Sequence, residues 1–194
     1  VRTYRAGENA VDVLKGVDLE LSRGELVGLV GPSGSGKSTL LHTAGLLEKP
    51  DEGAVLLDGE DCLKLNDRQR TLMRRTRLGF VYKFHNLLPE FNPIENVEAQ
   101  LYMSGVHRNV ARERAVELLE KMGLGHRLNH QPMEMSGGEQ QRVAIARALS
   151  NRPKILIADD PPANLDTNTT DSVFPQLIET GRTDGLDMLL ATHN

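Results

Sequence analysis

Only one cysteine, Cys62, stands among 194 residues, and tryptophan is missing altogether. A single thiol forms no internal disulfide and no cysteine-rich metal site, so the chain reads as a protein of a reducing compartment, with Cys62 a small apolar filler. No apolar run approaches the roughly 18 residues that a membrane-crossing helix needs, because glycine or a charge interrupts every candidate. An excess of positive charge is also lacking: 23 Lys and Arg against 27 Asp and Glu leave a net charge of −4, which argues against nucleic-acid binding driven by bulk charge. Repeats and low-complexity tracts are absent. His42, His85, His107, His126 and His130 show no metal-ligand spacing and read as surface or packing residues.

What is present is the composition of a globular protein, with 39% hydrophobic residues and 18 glycines. The length suits one domain, or one domain carrying a subdomain. Short apolar runs bounded by glycine and charge stand at Glu25 to Val30, Leu78 to Tyr82, Ile155 to Ala158 and Met188 to Ala191, as buried strands do. Helical spacing of apolar residues marks Lys37 to Glu48, Asn109 to Met122 and Gln140 to Ser150. Strand, helix and strand in alternation predict a parallel α/β core. Alternation at Val11, Val13, Val17, Leu19 and Leu21, followed by Ala54 to Leu57, predicts an antiparallel β edge. The stretch 84–135 reads as a helical subdomain inserted into a core made of 1–83 and 136–194. The arginine-rich run Arg68 to Arg77 reads as a solvated helix face in preference to a patch near anionic lipid headgroups. The first residue is Val and the last strand-like run stops just before the end, so the natural chain is expected to extend beyond both.

After the run ending at Val30 come Gly31, Pro32, Ser33, Gly34, Ser35, Gly36, Lys37, Ser38 and Thr39, a phosphate-binding loop in its strand-to-helix setting. Its glycines let the backbone wrap phosphate, turning N–H groups inward at a helix N-terminus. Lys37 can reach the β- and γ-phosphates, and the Ser38 hydroxyl can ligate Mg²⁺. A magnesium-bound triphosphate needs a second anchor, and Asp159 and Asp160 stand where the run from Ile155 ends. Asp159 is placed to hold the metal through water, and Asp160 to orient and deprotonate an attacking water. Ser136, Gly137, Gly138 and Glu139 open another helix, with Ser136 as N-cap. One nucleotide needs only one loop for its triphosphate, so this second anion-binding turn serves another phosphate group or another subunit.

With Gln140, Gln141 and Arg142 next in the chain, this turn resembles the signature of the ATP-binding-cassette (ABC) ATPases, and the resemblance extends over essentially the whole chain. It implies a P-loop core with a parallel sheet, an antiparallel β edge and a helical subdomain, here shortened at its C-terminus. It also implies ATP and Mg²⁺ as ligands, and a head-to-tail dimer in which Ser136 to Glu139 of one copy cap the γ-phosphate held by the other. Tyr4 matches the residue that stacks on adenine. Ala163 to Asp166 match the loop that crosses the dimer interface, and His193 matches the switch histidine that contacts the γ-phosphate. The segments Val11 to Glu20, Leu40 to Glu48, Phe84 to Val97, Gly137 to Leu149 and Ala191 to Asn194 are similar to those of ATPase subunits of lipoprotein-releasing systems in Gram-negative bacteria. Macrolide-export and cell-division ATPases share much of this pattern. The likeness implies two inner-membrane partner subunits received through Phe84, Leu87, Leu88 and Phe91, a position on the cytoplasmic face of the inner membrane, and no nucleic acid.

Three positions depart from the family. Lys83 replaces a glutamine that offers oxygen to Mg²⁺ and the attacking water, and an ammonium has no acceptor to offer. Repulsion from the metal is expected to turn Lys83 outward. Asp160 replaces the catalytic glutamate with a side chain one methylene shorter, a displacement of the base that can lower the rate by about 10²-fold. Pro162 stands where the family has threonine, stiffening the turn behind the base. The leading expectation is an ABC-type ATPase that drives membrane subunits to release lipoproteins. A nucleotide-gated clamp with weak hydrolysis is the second, and a soluble ABC ATPase of DNA repair or translation the third.

Overall fold

The computed structural model describes residues 1–7, 9–161 and 167–192. The chain opens with an antiparallel hairpin, β1 (Arg2–Ala6) and β2 (Asn9–Leu14), then runs through β3 (Leu26–Val30) into α1 (Lys37–Ala44). A two-residue ladder, β4 (Leu56–Leu57) with β5 (Glu60–Asp61), precedes α2 (Asp67–Arg77) and β6 (Leu78–Val81). Two helices come next, α3 (Pro93–Met103) and α4 (Arg108–Lys121), and a 3-10 turn at Pro132–Glu134 leads to α5 (Gly137–Leu149). The chain then alternates β7 (Ile155–Asp159), α6 (Thr167–Thr183) and β8 (Asp187–Thr192).

Strands β3, β8, β7 and β6 form one parallel sheet in that spatial order. Leu156, Ile157 and Ala158 of β7, and Met188 to Ala191 of β8, are all buried. Both faces of these strands are covered, so apolar residues run without alternation, as in a parallel sheet flanked by helices. Leu41 of α1 packs with Ile157, Leu189 and Ala191 on one face. On the other face a larger cluster joins Leu156, Ala158 and Leu190 to Val143 and Ile145 of α5 and on to Val97, Leu118 and Leu119 of α3 and α4. Helix α5 thus lies between the sheet and the helical insertion. Its close approach to β6 depends on Gly79, where a Cβ would stand 2.5 Å from the Ala148 carbonyl oxygen.

Capping explains where α2, α3 and α5 begin. Asn66 with Gln69, Asn92 with Glu95, and Ser136 with Glu139 each form a reciprocal capping box, which satisfies two backbone donors that the helix leaves open. Pro93 at the first turn of α3 has no N–H to leave orphaned.

Three expectations from the sequence are corrected. Residues 17–22 form no strand, and Val17 and Leu19 are exposed. Period-two alternation says which side of a strand would be apolar, but it supplies no neighbour to pair with, and each antiparallel ladder here is only two strands wide. Helix α1 stops at Ala44 rather than Glu48, because Gly45 closes it onto Leu41 and Leu46 takes a φ of 60°. The arginine run is not one solvated face. Arg70 is buried and pairs with Asp67, and Arg74 donates to the Leu46 carbonyl at 2.8 Å. Cys62 is fully buried, its sulfur 3.3 Å from that of Met73.

Candidate nucleotide site

All four parallel strands point the same way, so the segments that leave their C-terminal ends gather at one edge of the sheet, where ligands of open α/β sheets bind. Val30 leads into the phosphate loop, Thr192 closes β8, Asp159 ends β7, and Val81 ends β6 just before Lys83. Register aligns them: Val30 lies opposite Thr192, Asp159 opposite Ala191, and Val81 opposite Ala158.

The loop itself is shaped by glycine. Gly34 and Gly36 take φ values of 81° and 92°, and a Cβ on Gly36 would stand 3.1 Å from the Val13 carbonyl oxygen of β2. No side chain caps α1 and no acidic residue lies in its first turn. Its backbone N–H groups therefore face outward with the positive end of the helix dipole, a ready anion site. The Lys37 ammonium donates to the carbonyls of Gly31 at 2.6 Å and Pro32 at 2.9 Å, so it rests across the loop.

Ser38 and Asp159 come together. The serine hydroxyl donates to Asp159 Oδ1 at 2.9 Å. A hydroxyl and a carboxylate oxygen are the hard donors that Mg²⁺ takes from protein when phosphates and water supply the rest. Among the described residues no group of three or more His, Cys, Asp or Glu could hold a metal by itself, so the donor set suits a cation shared with a bound nucleotide.

Asp160 sits one residue beyond β7 with φ of 47°, a left-handed backbone that Asp tolerates better than most side chains. Its N–H donates to the Ala191 carbonyl at 2.8 Å, and its side chain is only 8% exposed. Lys83 does not turn outward as expected. Its ammonium lies 3.5 Å from Asp160 Oδ2, because a nearly buried carboxylate at the matching position of the next strand attracts it.

After Lys83 the chain is tied to α5 by contacts that the sequence pattern did not point to. Arg147 donates to the carbonyls of His85 at 2.8 Å and Asn86 at 2.7 Å, and His85 Nδ1 lies 2.5 Å from the Gln141 side-chain oxygen. Burial pushes the Arg147 guanidinium below its ordinary value, against the opposing pull of Tyr82. The sequence signal for Arg147 was its place in the apolar half of α5, after Val143 to Ala146. Leu87 packs onto the core, whereas Phe84, Leu88 and Phe91 are exposed.

At the start of α5, Ser136 N–H donates to Glu139 Oε2 at 2.8 Å and Glu139 N–H donates to Ser136 Oγ at 3.2 Å. Arg127 Nε donates to Glu139 Oε1 at 2.8 Å. Burial raises the Glu139 pKa, but the bonds from Ser136 and Arg127 outweigh it and hold the carboxyl below its ordinary value. Among the described residues no hydrogen bond or ion pair joins this turn to the phosphate loop. Tyr4 donates to Glu48 Oε2 at 2.5 Å, and the Arg2 guanidinium lies 4.8 Å above its ring centre. The expectations for Pro162, Ala163 to Asp166 and His193 lie outside the described residues.

A parallel sheet that gathers a phosphate loop, a strand-end carboxylate pair and a glycine-opened helix beside a helical insertion defines the class of ATP-binding cassettes. The chain belongs to the ABC transporter family, whose description matches residues 14–163. It is 62% identical over 193 residues to the lipoprotein-releasing system ATP-binding protein LolD of Hyphomonas neptunium, covering 100% of this chain and 85% of that one. A second LolD, from Caulobacter vibrioides, is 58% identical over the same shares. Among solved structures, the ATP-binding cassette MJ0796, a dimer bound to ADP and Pi, superposes with a TM-score of 0.90 at 41% identity, with 100% and 85% of the two chains covered. A second dimeric structure of MJ0796, described as a bacterial ABC transporter cassette, matches equally.

Proposed function

We propose that this chain is the ATP-hydrolysing subunit of an ABC transporter that releases lipoproteins from the inner membrane toward the outer one. The observation that carries the reading is the Ser38 to Asp159 hydrogen bond of 2.9 Å, which joins the phosphate loop to a strand-end carboxylate with the oxygen donors of a magnesium–nucleotide site. The names of the LolD relatives support the cargo, and the dimeric cassettes support a pair of copies.

In this reading water attacks the γ-phosphate in line. Lys37 and the N–H groups of residues 31–39 hold the phosphate charge, and Tyr4 stacks on adenine with Arg2 behind its ring. Ser38 and Asp159 would hold Mg²⁺, which when bound neutralises charge developing on the phosphate oxygens. Asp160 orients the water, and His193 with the Ser136 to Glu139 turn of the second copy closes the site. The core is made of 1–83 and 136–194, and 84–135 is the helical subdomain. Exposed Phe84, Leu88 and Phe91 offer apolar contacts to two membrane subunits. No helix among the described residues is long and apolar enough to cross a membrane; in this reading the chain sits peripherally on the cytoplasmic face, held by its membrane subunits. Titration of the chain with Mg-ATP tests the reading, followed by co-purification with inner-membrane proteins. Binding that requires Lys37 and capture of two membrane subunits are expected. Unchanged ATP affinity in Lys37→Ala would overturn it.

A further inference from the structure

The two departures from the family pattern at Lys83 and Asp160 are in contact. Val81 of β6 and Ala158 of β7 are register partners, and Lys83 and Asp160 each stand two residues further on. Neighbouring strands lie roughly 4.8 Å apart, so side chains at matching positions past their ends meet. The ammonium is 3.5 Å from Asp160 Oδ2, with the carboxylate 8% exposed and the lysine 43% exposed. Asp159, one residue earlier, turns instead to Ser38. The two adjacent carboxylates therefore reach different groups, Asp159 the Ser38 hydroxyl and Asp160 the Lys83 ammonium.

We propose that Lys83 is a positioning residue that latches Asp160, so that the site binds ATP while its hydrolysis is held back. The proposal rests on the ATPase reading above. To activate water, a carboxylate must accept a hydrogen bond from it and then its proton. An ammonium is donor only, so it occupies Oδ2 and can neither accept nor pass on that proton. A glutamine at position 83 would leave the carboxylate less firmly held and would add an acceptor of its own. The pair, with one partner nearly buried and the other half exposed, is held more firmly than a surface ion pair and less firmly than a buried one. Releasing it is worth about tenfold in rate, the equivalent of about 1.4 kcal/mol.

The test measures steady-state ATP hydrolysis and ATP affinity of the full chain as parent, Lys83→Gln, Lys83→Met, Lys83→Arg, Asp160→Asn and the double variant Lys83→Gln with Asp160→Asn. Thermal unfolding of each variant is followed in parallel. A latch predicts kcat about tenfold higher in Lys83→Gln and Lys83→Met with KM changed less than about twofold. Lys83→Arg keeps the parent's slow rate, because the positive charge persists. The gain disappears when Asp160 is already Asn, since the base it would release is gone. A kcat at or below the parent's in whichever uncharged variant folds overturns the latch, as does a gain that survives in the Asp160→Asn background. Failure of the parent to bind ATP would instead sink the ATPase reading itself, whereas intact binding with unchanged turnover sinks the latch alone.

Discussion

The phosphate loop and the wall opposite it are built in different ways. The loop is one contiguous run, 31–39, whose shape comes from backbone: left-handed glycines, an uncapped helix start, and Lys37 folded across the carbonyls of Gly31 and Pro32. The opposite wall is assembled from side chains delivered by β6 and β7, with Lys83 meeting Asp160 only because those strands share a register. Backbone geometry survives most substitutions, whereas a constellation of side chains changes chemistry with each one. The loop of this chain follows the family pattern, and two of the departures, Lys83 and Asp160, stand on the wall.

Removing the loop's charge should break its half of the site most severely. Lys37→Ala deletes a charged donor of the kind worth roughly 1.5 to 3 kcal/mol per bond, and loss of its phosphate contacts should weaken ATP binding about 100-fold by calorimetry. Thermal stability should change little, since the ammonium rests on two loop carbonyls near solvent.

A smaller effect tests whether the loop is a backbone device. Gly36→Ala places a Cβ 3.1 Å from the Val13 carbonyl oxygen at φ of 92°. Strain of this kind costs about 2 kcal/mol, which for a chain of this size lowers Tm by about 6 °C. ATP affinity should fall with it. A Gly36→Ala protein with the parent's Tm and affinity would mean that the loop tolerates side chains at its turn, and the contrast with the wall would fail.

The same contrast explains what could be read in advance. The loop, the strand ending in Asp159, and the Ser136 turn were legible because each is local: a spacing, an apolar run, a cap. The contact between Lys83 and Asp160 was not, because it depends on the β6 to β7 register, and the sequence alone suggested that Lys83 would turn away. The contacts of Arg147 and Gln141 were invisible for a similar reason. Their partners are backbone and side-chain groups at His85 and Asn86, and no periodicity encodes a contact so distant in the chain. Residues 17–22 erred in the other direction, since a local alternation was present without a neighbouring strand to use it.

Between loop and wall, Ser38 is shared. Ser38→Ala removes a candidate metal donor and leaves Asp159 Oδ1 to solvent. The advantage that Mg²⁺ gives to ATP binding should shrink about tenfold, while binding in the presence of a chelator stays near the parent's, as titrations with and without metal would show. Equal losses under both conditions would make Ser38 a purely structural member of the loop.

The smallest effect lies at the Ser136 turn, proposed above to close the site of a second copy, where a glutamate poses a difficulty. A helix start that receives phosphate should carry no uncompensated negative charge, yet Glu139 stands in its first turn. Arg127 at 2.8 Å supplies the compensation, and with the Ser136 N–H it holds the carboxyl ionised below its ordinary pKa against the effect of burial. Because the folded pKa is lowered, the stability this group contributes is fully present above its unfolded pKa and is lost as pH falls through the folded one. Glutamine at this position can keep the capping box, as Gln69 does in α2, so Glu139→Gln removes the charge; a charge in the first turn of a helix is worth up to about 1 kcal/mol, and Tm should fall by about 3 °C at neutral pH. As the solution is acidified the parent should lose that margin, and the two unfolding curves should converge once Glu139 is protonated in the folded protein. If the gap between parent and variant stays constant down the acid range, the carboxylate contributes through its shape and not its charge, and Arg127 is not what keeps this turn open to an anion.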